Sequence, residues 1–132
     1  MSAFASDSVV RVGPDSSLSE VAAALSSADI GAVAVGTVDN VTGIVSERDV
    51  VRALAARRDS ATIRARDLAH TTLVRCDVQS SVAEVAEEMM EHYVRHVVVE
   101  DEGRVVGIVS ARDLLGAYAA AELEEADLYP SR

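Results

Sequence analysis

Two short stretches of this chain carry the same three polar side chains at the same spacing: Ser46, Arg48 and Asp49, and then Ser110, Arg112 and Asp113. Each triplet follows Gly-Ile-Val, an apolar run of strand type, and precedes residues with helical spacing, so each marks a strand giving way to a helix. A helix start presents unpaired backbone amides and a partial positive charge, which suits an anion. In such a turn a serine hydroxyl can bond a phosphate or ribose oxygen, and an arginine offers a fork of donors to phosphate. An aspartate has two oxygens with which to accept from both ribose hydroxyls. The same spacing is close to a capping box, in which serine and aspartate merely satisfy the helix end. The arginine favours a ligand, because a cation in the first helical turn opposes the helix dipole by roughly a few tenths of a kcal/mol. It stands there in both stretches.

These turns belong to a longer repetition. Residues 10–53 return as residues 74–117, shifted by 64 positions without a gap, and 17 of the 44 pairs are identical. A shuffled chain of this composition would give about four, so the repeat defines the architecture. Each copy opens on an apolar strand, Val9–Val12 or Leu73–Cys76. A helix follows, announced by Ser17 with Glu20 and by Ser81 with Glu84, the spacing of a capping box. In the second copy its apolar positions are Val82, Val85, Ala86, Met89 and Met90, and both methionines are expected in the core. The strands Ala32–Val35 and Val97–Val99 are rich in β-branched residues. Turn residues Val38-Asp39-Asn40 or Asp101-Glu102-Gly103 lead back through Val41–Val45 or Val105–Val109, predicting a hairpin. A last helix starts at Ser46 or Ser110. The fold class is therefore α/β (α+β), two β-α-β-β-α units with one sheet face each to cover, which predicts that the copies pack together. The expected division is a first unit over 1–60, a connector over 61–72 with a short helix at Ile63–Leu68, and a second unit over 73–132.

With Gly43-Ile44-Val45-Ser46-Glu47-Arg48-Asp49 and Gly107-Ile108-Val109-Ser110-Ala111-Arg112-Asp113 in register, the chain resembles the cystathionine-β-synthase (CBS) domain family as a tandem pair, a Bateman module. Arg95-His96-Val97-Val98-Val99 followed by Gly103-Arg104-Val105-Val106 has the pattern of that family's central hairpin. Ile63-Arg64-Ala65-Arg66-Asp67-Leu68 resembles the segment leading into a second copy. The resemblance implies a regulatory, non-catalytic module, packed with pseudo-twofold symmetry. It would bind adenosine-containing ligands (AMP, ADP, ATP, S-adenosylmethionine or NAD) in clefts between the copies. It also implies a homodimer and output through an unidentified effector protein. By the same analogy Arg95 is a phosphate-binding residue beside the seam, with His96 next to it. Val9, Val10, Ile30 and Gly31 would line the cleft served by Asp113, and Leu73, Val74 and Val94 the cleft served by Asp49. The first copy has Gly31-Ala32 where the second has Arg95-His96, so the two sites are expected to be unequal.

Composition removes other classes. A formal net charge of −10 argues against a broad grip on nucleic acid or anionic lipid. No apolar run approaches a membrane span, and the opening residues lack the pattern of a signal peptide. The single cysteine, Cys76, excludes an intrachain disulfide and fits a reducing, cytoplasmic setting. His70, His92 and His96 have no companions at metal-ligand or catalytic spacing, so no metal, obligatory cofactor or catalytic set is expected. The acidic run Glu122, Glu124, Glu125 and Asp127 reads as a solvated helix end.

Overall fold

The recurring local signals build the same unit twice. In the computed structural model, which describes residues 9–28, 30–37 and 39–128 with side-chain surroundings as far as residue 120, the first unit runs β1 (Arg11–Val12), α1 (Leu18–Ala28), β2 (Ala32–Thr37), β3 (Asn40–Ser46) and α2 (Glu47–Ala55). After the short α3 (Ala65–Leu68), the second runs β4 (Arg75–Asp77), α4 (Val82–His92), β5 (His96–Asp101), β6 (Arg104–Ser110) and α5 (Ala111–Leu128). The expected β-α-β-β-α order is met in both. The acidic run falls in α5, its side chains outside the described residues. The opening strands are shorter than expected, although the Val10 and Val74 carbonyls still accept from the Ala34 and Val98 amides at 3.0 and 2.9 Å.

Both capping boxes form at the first helices. The Glu20 amide donates to Ser17 Oγ and the Ser17 amide to Glu20 Oε1, each at 3.1 Å. Ser81 and Glu84 do the same at 3.1 and 3.0 Å. Such reciprocal bonds satisfy two orphan amides and fix where the helix begins.

Each sheet has three strands, a parallel pair followed by an antiparallel hairpin. The hairpin registers agree pair for pair at the 64-residue shift: Ala32 faces Ser46 and Val35 faces Gly43, while His96 faces Ser110 and Val99 faces Gly107. Even the register slip recurs, between Val35 and Gly36 and between Val99 and Glu100. In the second turn Glu102 and Gly103 take the positive φ values, 52° and 81°, that the tight reversal needs.

Alternation along the strands divides the apolar residues between two kinds of core. Val33, Val35 and Val45 join Val21, Leu25 and Val50 beneath the first helices. Val97, Val99 and Val109 join Val85, Met89 and Leu114 beneath the second pair. The opposite faces meet each other: Ala32, Ala34, Val41 and Ile44 pack with Val98 and Val105, flanked by Val9, Leu73 and Ile108. Met89 is buried as expected, but Met90 is 77% exposed. Adjacent helix positions are about 100° apart, and the core face already runs through Val85 and Met89. Among the described residues, no helix is long and apolar enough to cross a membrane.

The connector is bound to the first unit. The Ala65 and Arg66 amides donate to the Ser16 and Pro14 carbonyls at 2.8 and 3.0 Å, Arg66 pairs with Asp15, and His70 and Ile44 exchange backbone bonds of 2.9 and 3.1 Å. Close approach requires glycine at position 43. A Cβ there would stand 2.9 Å from Ala69 Cβ and 3.1 Å from the His70 carbonyl oxygen. Gly116, inside α5, has nothing within 4 Å of its would-be Cβ. Urea unfolding should therefore separate the two glycines: Gly116→Ala raises stability by about 0.5–1 kcal/mol through helix propensity, whereas Gly43→Ala lowers it by about 1–3 kcal/mol through overpacking.

Candidate functional site

The turns singled out by their chemistry stand where β3 meets α2 and where β6 meets α5. In the first, Ser46 Oγ accepts from the Asp49 amide at 3.3 Å, while the Ser46 amide and hydroxyl both donate to Asp49 Oδ2, at 2.8 and 2.9 Å. In the second, the Ser110 amide donates to Asp113 Oδ2 and the Asp113 amide to Ser110 Oγ, each at 3.0 Å. Both triplets thus cap their helices. The next amide is also engaged: Glu47 donates to the Gly31 carbonyl at 2.9 Å and Ala111 to the Arg95 carbonyl at 2.8 Å. The expectation of several free amides is accordingly corrected. Among the described residues, those of Arg48 and Arg112 are the ones left in each turn, and both guanidinium groups are exposed.

These carbonyl contacts tie Gly31 and Arg95, the residues before the central strands, to the two turns. Across the seam, His96 Nε2 lies 3.7 Å from where a Gly31 Cβ would be, with a Glu47 carboxylate oxygen 4.0 Å from the same point. Burial pushes the His96 pKa below its ordinary value, against the opposing pull of Asp113, Asp49 and Glu47. Burial thus favours the neutral imidazole, within the field of carboxylates from both units. Arg95 is exposed. Glu100, five positions on, binds Arg75 at 3.0 Å.

The apolar residues assigned to the clefts divide. Val9 and Leu73 flank the contact between the sheets. Val10 and Ile30 pack against the first unit's own core, and Val74 and Val94 against the second's. Two grooves, each of about 320 Å³, lie beside α2, one lined by Asp49, Arg52, Arg58 and Asp67 and the other by Leu25, Ile30, Glu47 and Val51. Their walls come from the first unit and connector alone, so neither is a cleft between copies.

The two aspartates differ sharply. Asp113 is exposed, and among the described residues its Oδ1 has no protein partner. Asp49 is only 8% exposed, and its Oδ1 accepts from His70 Nε2 at 2.8 Å. Burial works against ionisation of Asp49, but the Ser46 amide, the His70 imidazole and the Ser46 hydroxyl outweigh it and hold the carboxyl below its usual range. Sequence reasoning placed His70 in the connector and gave it no role. Its contact spans 21 positions, and the one available signal was a histidine just ahead of the strand expected to serve Asp49.

A carboxylate with a depressed folded-state pKa contributes stability above its unfolded pKa and loses it as pH falls through the folded one. Asp49→Asn should lower unfolding stability by about 1–3 kcal/mol at pH 7, the range for disrupting a buried hydrogen-bonded group. The gap from the unsubstituted protein should close as pH falls through the lowered Asp49 pKa. Asp113→Asn, at an exposed cap, should cost less than Asp49→Asn at pH 7. Urea titrations across pH measure both.

Comparison with known proteins agrees with this architecture. A model of the family described as CBS domain matches the chain twice, over residues 1–56 and 65–120. Hypoxic response protein 1 of Mycobacterium tuberculosis is 37% identical over 108 residues, which cover 80% of this chain and 76% of that protein. A CBS-domain containing protein from Agrobacterium tumefaciens has a similar structure, with a TM-score of 0.75 and 38% identity over 84% of this chain and 90% of that one. A CBS domain protein from Pyrobaculum aerophilum, solved complexed with AMP, gives a TM-score of 0.73 and 32% identity over 85% and 87% of the two chains. Two units in register, two family matches at the same 64-residue shift and these neighbours lead to one conclusion: the chain belongs to the CBS domain family, as a tandem pair.

Proposed function

We propose that the protein is a regulatory, non-catalytic module that binds an adenosine-containing ligand at the seam between its two units. The observation that carries this reading is the approach of His96 to Gly31, which sets the second unit's Arg95-His96 against the first unit at the foot of both Ser-x-Arg-Asp turns. The AMP complex of the Pyrobaculum relative supports the ligand class. In the Asp113 cleft, Asp113 Oδ1 accepts from ribose, and Arg95, Arg112 and the Arg112 amide face the phosphate, with Ser110 holding the carboxylate in place. Val9 and Ile30 offer apolar surface to adenine. Ser46, Arg48 and Asp49 offer the same residue types beside Leu73 and Val74, but there Asp49 Oδ1 is already engaged by His70. Bound ligand would favour one relative packing of the units, and such coupling requires different affinity for the two arrangements. A cytoplasmic effector protein reads the change.

A second reading, a structural module with unoccupied clefts, draws on one specific observation: both turns already satisfy their own helix ends without a ligand. Calorimetric titration with AMP, ADP, ATP, S-adenosylmethionine and NAD separates the two. The regulatory reading predicts saturable binding of at least one, with a matching rise in melting temperature. It also predicts that Asp113→Ala weakens binding more than Asp49→Ala. Absence of binding at millimolar ligand supports the structural reading instead.

A homodimer completes the proposal. Val51 and Leu54 on α2 and Leu115 and Tyr118 on α5, equivalent at the 64-residue shift, are 60%, 59%, 68% and 55% exposed. Large apolar side chains repeated on both outer helices suit an interface between copies of this chain. Light scattering should report a dimer, and Val51→Asp combined with Leu115→Asp should give a folded monomer.

A further inference from the structure

The two clefts are unequal in a way the repeat does not contain. In the first unit the Asp49 oxygen that would face ribose is already taken, by the His70 imidazole at 2.8 Å. The contact is set by backbone as well as side chain. His70 and Ile44 exchange amide–carbonyl bonds of 2.9 and 3.1 Å, and Gly43 leaves room for the Ala69–His70 segment to lie against β3. Exposure gives the direction of the arrangement. The His70 side chain is 63% exposed and the Asp49 side chain 8%, so the histidine lies at the solvent side of a carboxylate that it covers.

The second unit does not repeat this. Among the described residues Asp113 accepts only from its own turn. The two family matches begin at residues 1 and 65, which sets Ser6 opposite His70 in the repeat. A serine side chain is shorter by most of an imidazole ring, and Ser6 itself lies outside the described residues.

We infer that His70 decides which cleft takes the ligand: it occupies on Asp49 the place that ribose hydroxyls take on Asp113, so one adenosyl ligand binds per chain, in the Asp113 cleft. The inference rests on the adenosyl reading above and adds the stoichiometry and the residue that sets it. A ligand entering the Asp49 cleft must break a charge-assisted hydrogen bond, about twice as strong as a neutral one. A ligand entering the Asp113 cleft breaks none at Asp113 Oδ1 among the described residues.

Equilibrium dialysis with AMP, ATP and S-adenosylmethionine tests this on the full chain. One equivalent should bind per chain and be lost in Asp113→Asn. His70→Ser, which gives the connector the residue found at position 6, should bind two, and the added one should disappear when Asp49→Asn is combined with it. His70→Gln, which keeps a donor for Asp49, should stay at one. On the unsubstituted protein, one equivalent of ligand should shift the NMR ring signals of His96 and leave those of His70 in place, a readout independent of whether any variant folds. Two equivalents bound by the unsubstituted chain, a single equivalent still bound by folded His70→Ser, or His70 signals moving as much as those of His96 would overturn the role of His70 while leaving the adenosyl reading intact. If no form binds any of the three, the adenosyl reading falls and this inference with it.

Discussion

A three-stranded sheet has two faces, and one layer of helices covers only one of them. The other must be buried, and in this chain each sheet buries it against the other. Ala32, Ala34, Val41 and Ile44 on one side meet Val98 and Val105 on the other. Fully burying a side chain such as valine or isoleucine contributes roughly 1.5–3 kcal/mol, so the contact is a principal source of cohesion between the units. It also limits their arrangement. Because successive strand residues alternate faces, the residues that point to the helices, such as Val33 and Val97, cannot serve the seam.

That contact places the chemistry. Once the sheets lie face to face, the starts of their central strands and the turns bonded to them sit at the seam. Glu47 is held by the Gly31 carbonyl and Ala111 by the Arg95 carbonyl, so each helix start is fixed to the strand start beside it. His96 then reaches across to Gly31. The two-unit packing is thus both the stabilising feature and the means by which a bound molecule could be sensed, since whatever occupies the seam touches the interface that holds the module together.

Much of this was legible in the residues, and particular ones show why. The hairpins and their register follow from matched β-branched runs and from the Gly-Ile-Val-Ser blocks, whose spacing recurs without a gap. The helix starts follow from Ser17–Glu20 and Ser81–Glu84, local signals needing no tertiary information. The need for the copies to meet follows from sheet size. Less legible were features set by contacts distant in sequence. Met90 resembles Met89 in type, and only its direction on α4 leaves it in solvent. The helix-start amides are consumed by the Gly31 and Arg95 carbonyls, a bond between strand and turn that no spacing rule announces. His70 meets Asp49 because the connector folds back along β3 at Gly43, and the repeat, ending before the connector, carried no signal for it. How a ligand would engage the two turns was legible only as residue types, since the same Ser and Asp also cap their helices.

The account stands or falls on what lies beside Asp113 when ligand is present. The direct measurement is a crystal structure of the protein grown with millimolar AMP. The account predicts nucleoside density between the units, with ribose on Asp113, phosphate towards Arg95 and Arg112, and the His70–Asp49 contact unbroken in the first unit. An empty Asp113 cleft, or AMP seated in the first unit with His70 displaced, would contradict it.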